Sequence, residues 1–543
     1  MNFDEIICLI GGFGKFQKIL YVWICLPQIF LAFHNLVSVF TEAVPPHLCS
    51  SSSPAAGAPA SSYFNFSHLD GRPELSCTVP LNHSGAVALG DGHPAGRCQR
   101  GWEYSTETFQ STTVTEWDLV CDSANLNIMG SSIYMLGLLV GAVLFGSLAD
   151  KYGRRIIILF NLAIQAVSGV GVAFAPNFYV YIALRFMVGT SVSGVTMSAF
   201  VLGIEWTGCK QRMLAALITD YFFGAGYILL AGIAYLIRDW RKLQLAISAP
   251  GFLFIFYIWV LPKSARWLIA NDRKEEAWEL IRKAAQMNGK PLTKDLEMCP
   301  VYNIEVKTEV KKNHFLDLVR TPKMRKQSLI VFYLWFANVL VYYDLSLNIS
   351  DFGMNIYLTQ LIFGLVEMPA LTITLFTLNR SRKFSQLVFL AVGGTACLLT
   401  IFIPSELSVI KTVLAMIGKF GITASLSIIY LYSVEVFPTV IRQNGIGMGS
   451  MCARIGGVLA PLMYLLRRIS PQAPMVLCGL CPLLGSALTL LLPETANKPL
   501  PDTIEDVEGS NLSAEDGGVR PVVSEENRQD GLMNSSRVSC HFS

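Results

Sequence analysis

Twelve apolar runs, each long enough to cross about 30 Å of hydrocarbon as a helix, restrict this chain to one broad architecture. They lie near residues 17–40, 127–148, 156–175, 178–203, 213–236 and 243–261, then near 329–347, 355–378, 386–404, 408–431, 444–466 and 474–492. Hydrocarbon offers no water to an unpaired amide, so each run must close its hydrogen bonds within itself. An all-α membrane protein with twelve transmembrane helices in two six-helix bundles follows. Composition agrees, with 52% of the 543 residues hydrophobic and only 15% charged. The formal net charge of +3 is too small for a nucleic-acid surface, and the basic residues gather in loops.

The runs divide the chain into a short N-terminus (1–16), helix 1 (17–40), a long polar loop (41–126) and helices 2–6 (127–261). A charged interval (262–328), helices 7–12 (329–492) and a tail (493–543) complete it. The interval holds an amphipathic stretch from Arg273 to Ala285 that predicts short helices. The tail, rich in Asp, Glu, Ser and Gly, predicts disorder. Basic loops place both termini in the cytoplasm, although Arg238, Arg241, Lys242, Arg467 and Arg468 then fall outside. No small-residue cleavage site follows the first run, so no cleavable leader is expected. Four of the thirteen cysteines, Cys49, Cys77, Cys98 and Cys121, share the 41–126 loop with glycosylation acceptors at Asn65 and Asn82. They fit an oxidising exterior and allow two disulfides in any of three connectivities. The other cysteines have no metal-ligand spacing and read as packing residues, so no metal site is expected.

Gly146 to Arg155 reads G-S-L-A-D-K-Y-G-R-R, a turn squeezed between two spans. Asp150, Lys151, Arg154 and Arg155 pin it to water, and Gly153 permits a reversal that a Cβ would block. Landmarks repeat between the two halves. Glu205 precedes Arg212 by seven residues, as Glu435 precedes Arg442, and Leu261-Pro-Lys-Ser264 is answered by Leu492-Pro-Glu-Thr495. The second copy of the charged turn, Asn379-Arg-Ser-Arg-Lys383, has lost both glycines. Asp150, Arg154, Arg155, Glu205, Arg212, Glu435 and Arg442 are expected to form gate networks that are made in one conformation and broken in another.

No phosphate loop, G-x-S-x-G or H-E-x-x-H appears, which argues against an ATP-driven pump or a hydrolase, and no cofactor is expected. Charge within the spans is more informative, because it usually faces water or a partner. Arg454 lies ten or so residues into helix 11, ~15 Å deep. There it needs either a carboxylate such as Glu367 or an anionic ligand for its two-pronged fork. Lys419 and Arg185 read as structural or gating cations. Asp220, Asp344 and Glu367 are the acids to weigh against them, and Asp344 or Asp220 is where a cationic group would go. Tyr221, Phe222, Phe223, Tyr227, Trp335, Phe336, Tyr342, Tyr343 and Tyr430 could line an aromatic cavity, while His34 and Asn35 need polar partners within helix 1.

The charged turn resembles the loop between helices 2 and 3 of the major facilitator superfamily. Within it the chain resembles the organic-ion transporters of solute carrier family 22 from residue 5 to about 508. The match rests on Gly11-Gly-Phe-Gly-Lys-Phe-Gln17, Trp117-Asp-Leu-Val-Cys-Asp122, Ser264-Ala-Arg-Trp-Leu268, Phe437-Pro-Thr-Val-Ile-Arg-Gln443 and Leu500-Pro-Asp-Thr503. Arg442-Gln443, Gly447-Met-Gly-Ser450 and Arg454 are similar to the organic anion branch, and Asp351-Phe-Gly353 with Tyr357 to Gly364 looks closest to the subgroup exchanging urate, nicotinate and related carboxylates. The resemblance implies alternating access at the plasma membrane, by exchange or facilitated diffusion. Small organic ions and counter-ions would be the partners, the lipid bilayer the setting, and the oligomeric state is left open. It implies a pocket of Asn35, Phe223, Tyr343, Ser450 and Arg454, which the aromatic pattern extends to Tyr227 and Trp335. Departures are Leu371 where a basic residue is expected, Asp344 for a glycine, Phe223 for a tyrosine, Leu426 for a phenylalanine and Lys263 for a glutamate. One cation fewer and one acid more make monovalent or zwitterionic substrates more credible than dicarboxylates. A zwitterion or cation carrier and a receptor-like protein using the outer loop are the competing expectations.

Overall fold

The computed structural model describes residues 3–49, 101–208, 211–290, 317–349, 354–378, 380–404, 407–438, 441–496, 501 and 504–509. Asn65, Asn82, Cys77, Cys98 and the tail beyond 509 lie outside them. Among the described residues twelve helices form the body: α1 (Lys15–Leu36), α2 (Ala124–Tyr152), α3 (Arg154–Ala173), α4 (Phe178–Glu205), α5 (Arg212–Leu236) and α6 (Trp240–Ser248) come first. Then follow α7 (Pro322–Leu347), α8 (Ile356–Leu378), α9 (Arg382–Leu399), α10 (Ser408–Val436), α11 (Arg442–Leu462) and α12 (Ala473–Thr489). Eleven candidate spans are long enough to cross a bilayer, and α12 is a shorter apolar helix.

Local chemistry sets several ends. Asn177, Asp239, Ser264 and Ser381 each accept a backbone N–H from three residues on, the usual cap for orphan amides. The sixth apolar run is one span, Trp240–Val260, but not one α-helix. After Ser248 it tightens to a 3-10 stretch, Ala249–Phe256, where Pro250 removes a donor. Small residues bring helices close. A Cβ on Gly137 of α2 would stand 2.5 Å from the Phe186 carbonyl of α4, and one on Gly394 of α9 would stand 2.7 Å from the Gly479 carbonyl of α12.

The contacts repeat with a shift of six helices. In the first bundle α1 packs on α5, α2 and α3 on α4, and α3 on α6; in the second α7 packs on α11, α8 and α9 on α10, and α9 on α12. The bundles meet where α2 lies on α11 and α5 on α8, and the same shift exchanges these two seams. Such symmetry suits two halves that rock about a shared centre.

Smaller elements tie down the edges. Strands β1 (His47–Cys49) and β2 (Trp102–Tyr104) pair antiparallel, so a short ribbon joins the described ends of the outer loop. In the interval between the bundles, the helix Lys274–Met287 buries Ala277, Ile281, Ala284 and Ala285. Asn288 then donates to the Ile10 carbonyl at 2.7 Å and accepts from the Phe16 amide at 2.8 Å, fastening the interval to the start of α1.

Candidate functional site

Three layers of polar and aromatic side chains run through the centre. At the layer beside the turn between α2 and α3, Arg154 reaches Glu205 at 3.3 Å and Asp150 at 2.8 Å. Ser264 donates to Glu205 at 2.5 Å. In the second bundle Arg382 reaches Glu435 at 3.2 Å, and Thr495 donates to that carboxylate at 2.6 Å. Arg212 donates to the Thr207 carbonyl at 3.3 Å and Arg442 to the Phe437 carbonyl at 3.1 Å, holding the starts of α5 and α11. Spacing along the chain grouped each glutamate with the arginine seven residues on; the fold gives each glutamate the arginine that opens α3 or α9. Arg155 bonds the Ile258 carbonyl. Glu494 loses solvation by burial, yet Ser381 and the Ala496, Arg382 and Thr495 amides hold its carboxyl below the usual range. Lys263 does the same to Glu276.

At mid-depth Glu367 and Lys419 form a buried pair at 3.1 Å. The Tyr342 hydroxyl donates to Glu367 at 2.6 Å, and Lys419 donates to Ser346 at 2.5 Å while lying over the Tyr342 ring. Glu367 is therefore not the partner of Arg454. Arg454 donates to the Leu138 carbonyl of α2 at 3.3 Å, across the seam between bundles, and its buried Nε has no acceptor. Among the described residues Arg454 has no ion pair; the side chain within reach of its charge is Tyr343. Tyr343 stands edge-on to Tyr342 at 5.4 Å and interacts with Tyr134, whose hydroxyl donates to Asn35 at 3.1 Å. Asn35, Tyr343 and Arg454, drawn from α1, α7 and α11, thus converge.

The other expected pocket residues are placed differently. Phe223 and Ser450 are half-buried on α5 and α11. Tyr227 is fully buried, with the Lys419 ammonium 5.4 Å from its ring centre. Trp335 is buried, donates to Ser433 at 2.9 Å, and meets Tyr430 at 5.9 Å. These two back the wall of the centre. Tyr430 in turn meets Phe200 of α4 edge-on at 5.4 Å, a contact between the bundles.

The layer at the opposite end was not anticipated. Tyr357, at the start of α8, stacks on Phe40 at 5.4 Å, approaches Phe109 and Tyr235, and donates to the Thr108 carbonyl at 2.9 Å. One ring of the second bundle thereby closes against the first. Glu42 was also missed: Ser131 and Tyr181 donate to its carboxylate, and Asn127 donates to its carbonyl. Its only signal was an acid stranded between the first span and Pro45-Pro46.

Residues 96–506 match the family model described as sugar (and other) transporter. The chain is 38% identical to solute carrier family 22 member 6-A of Xenopus laevis, over 94% of each chain. It is also 38% identical to the organic cation transporter protein of Drosophila melanogaster, over 96% of this chain and 98% of that one. Organic anion transporter 3 of Sus scrofa is 36% identical over 96% of each. The structure of the E. coli xylose transporter XylE in a partially occluded inward open conformation aligns with 90% of this chain and all of that one, with a TM-score of 0.60 at 14% identity.

Proposed function

The chain belongs to solute carrier family 22, a multi-pass membrane transporter of the major facilitator fold, and on that premise we propose that it carries small organic anions across the plasma membrane. Alternating access, by exchange or facilitated diffusion, moves urate- or nicotinate-like carboxylates. The relatives' names divide between anion and cation, so the choice falls to charge at the centre. One observation carries it: Arg454 is held at a seam between the bundles without a carboxylate. A buried guanidinium left in that state favours an anion that completes its fork.

Arg454 anchors the anionic group. Tyr343, Phe223, Ser450 and Asn35 border it, with Tyr227 and Trp335 behind them. The cytoplasmic networks of Asp150, Arg154, Arg155, Glu205, Arg212, Glu435 and Arg442 hold each bundle's inner end and loosen as the halves rock. Both termini are cytoplasmic. The outer loop is glycosylated at Asn65 and Asn82 and cross-linked through Cys49, Cys77, Cys98 and Cys121; support for this comes from four cysteines and two acceptor sites gathered in one loop. A receptor-like protein is the weaker alternative, since it would have no use for an unpaired mid-membrane cation.

Uptake of a labelled aromatic monocarboxylate in transfected cells tests the anchor. At equal surface expression Arg454→Ala is expected to lower uptake at least tenfold and Arg454→Lys to recover part of it. Uptake by the alanine variant at the wild-type rate removes Arg454 from the mechanism.

A further inference from the structure

The centre carries a second fixed charge, of opposite sign. Asp220 follows Arg212 by eight residues in α5, as Ser450 follows Arg442 in α11, so the six-helix shift puts both on equivalent faces. Asp220 is exposed although it lies in mid-span. Its charge reaches Glu367 of α8, Tyr430 of α10 and Cys25 of α1. A side chain that stays exposed with helices of both bundles so near faces an internal opening. Among the described residues no donor or cation pairs with Asp220. Glu367 only repels it, and that carboxylate already takes Lys419 and Tyr342.

Asp344 is the instructive contrast. It is fully buried in α7, where its carboxylate accepts from the Cys478 thiol at 3.0 Å and the Asn348 amide at 2.8 Å. That acid is already solvated by protein, whereas Asp220 is left for something else. From Asp220 a continuous set of groups leads through Glu367, Tyr342 and Tyr343 to Arg454. Glu367 bridges the seam itself, since a Cβ on Gly224, one turn beyond Asp220, would touch its carboxylate at 3.5 Å.

We propose that Asp220 is a second charged subsite that receives a cationic group, so that among the carboxylates this chain carries it prefers those that also bear an ammonium. The proposal rests on Arg454 as the anionic-group anchor and adds the opposite end. A plain carboxylate entering the opening meets the repulsion of Asp220 as well as the attraction of Arg454. A zwitterion is attracted at both ends and leaves neither charge of the centre uncompensated.

The test uses the full chain in transfected cells and two labelled probes of equal shape, a trimethylammonium carboxylate and its tert-butyl isostere, which keeps the carboxylate but replaces the charged nitrogen by carbon. The wild type is expected to prefer the zwitterion in uptake per KM. Asp220→Asn should lower that preference at least tenfold, and Asp220→Glu, which keeps the charge, should restore most of it. The proposal is overturned if the wild type takes the isostere equally well, or if Asp220→Asn slows both probes by one factor. It is overturned too if Asp220→Asn abolishes a pH dependence of carboxylate uptake with the preference intact, since Asp220 would then carry a proton. Arg454→Ala separates the two levels. Loss of both probes in that variant, with no change of preference in Asp220→Asn, sinks only the second subsite, while unaffected uptake of both sinks the anion anchor.

Discussion

In the first bundle Arg154 grips Glu205 from a turn built on Gly153, whereas in the second Arg382 grips Glu435 from a turn with no glycine. Gly153 sits at φ +95°, with the Trp267 ring 3.4 Å from where a Cβ would be. Ser381, in the corresponding place, is extended at φ −161° and caps α9 with its own hydroxyl. A chain that enters its helix through an extended cap has no need of left-handed backbone, so the glycine could go without the ion pair going too. Glu494 completes the second turn by accepting from Ser381 and from the Arg382 amide at 3.0 Å. The first bundle has Lys263 there, and it turns instead to Glu276 of the helix between the bundles. The duplicated halves share a geometry that different residues supply.

Their interiors diverge further. Lys419 has a direct carboxylate partner in Glu367, while Arg185 stacks on Tyr134 at 4.5 Å and donates to the His34 carbonyl, with no ion pair among the described residues. Lys419→Met should therefore be the most damaging change, costing about 3–5 kcal/mol by leaving Glu367 buried and alone. The double variant with Glu367→Leu should regain most of that in thermal unfolding of the detergent-purified protein. If the double variant is no better than the single, the pair is not what holds this bundle. Next in size, Arg154→Ala and Arg382→Ala should each cost about 1–3 kcal/mol, because both pairs are mostly buried and further supported by a hydroxyl. Melting curves that separate the two by more than about 1 kcal/mol would show that the second turn is not an equivalent of the first.

The smallest effect concerns Glu494. Its folded pKa is depressed, so it contributes stability above the unfolded carboxylate value of about 4.3 and loses it as pH falls through the folded value. Glu494→Gln should lower the melting temperature near neutral pH by an amount equivalent to about 1 kcal/mol, and the gap should close in acid. A gap that persists unchanged at low pH would assign the effect to packing.

Twelve spans in two sets and the charged turns between them were legible in the sequence, because hydrocarbon sorts residues by transfer free energy along the chain and needs no knowledge of neighbours. Arg454 was conspicuous for the same reason. Which acid answers which base was not legible. Glu205 lies seven residues from Arg212 yet pairs with Arg154, and Glu367 was weighed against Arg454 yet belongs to Lys419. The sequence likewise offered Asp220 and Asp344 as equals, and the fold buried one among donors and left the other exposed. Pairing depends on distances between helices remote in the chain, and those are set by how glycine-lined faces approach and how the two bundles meet.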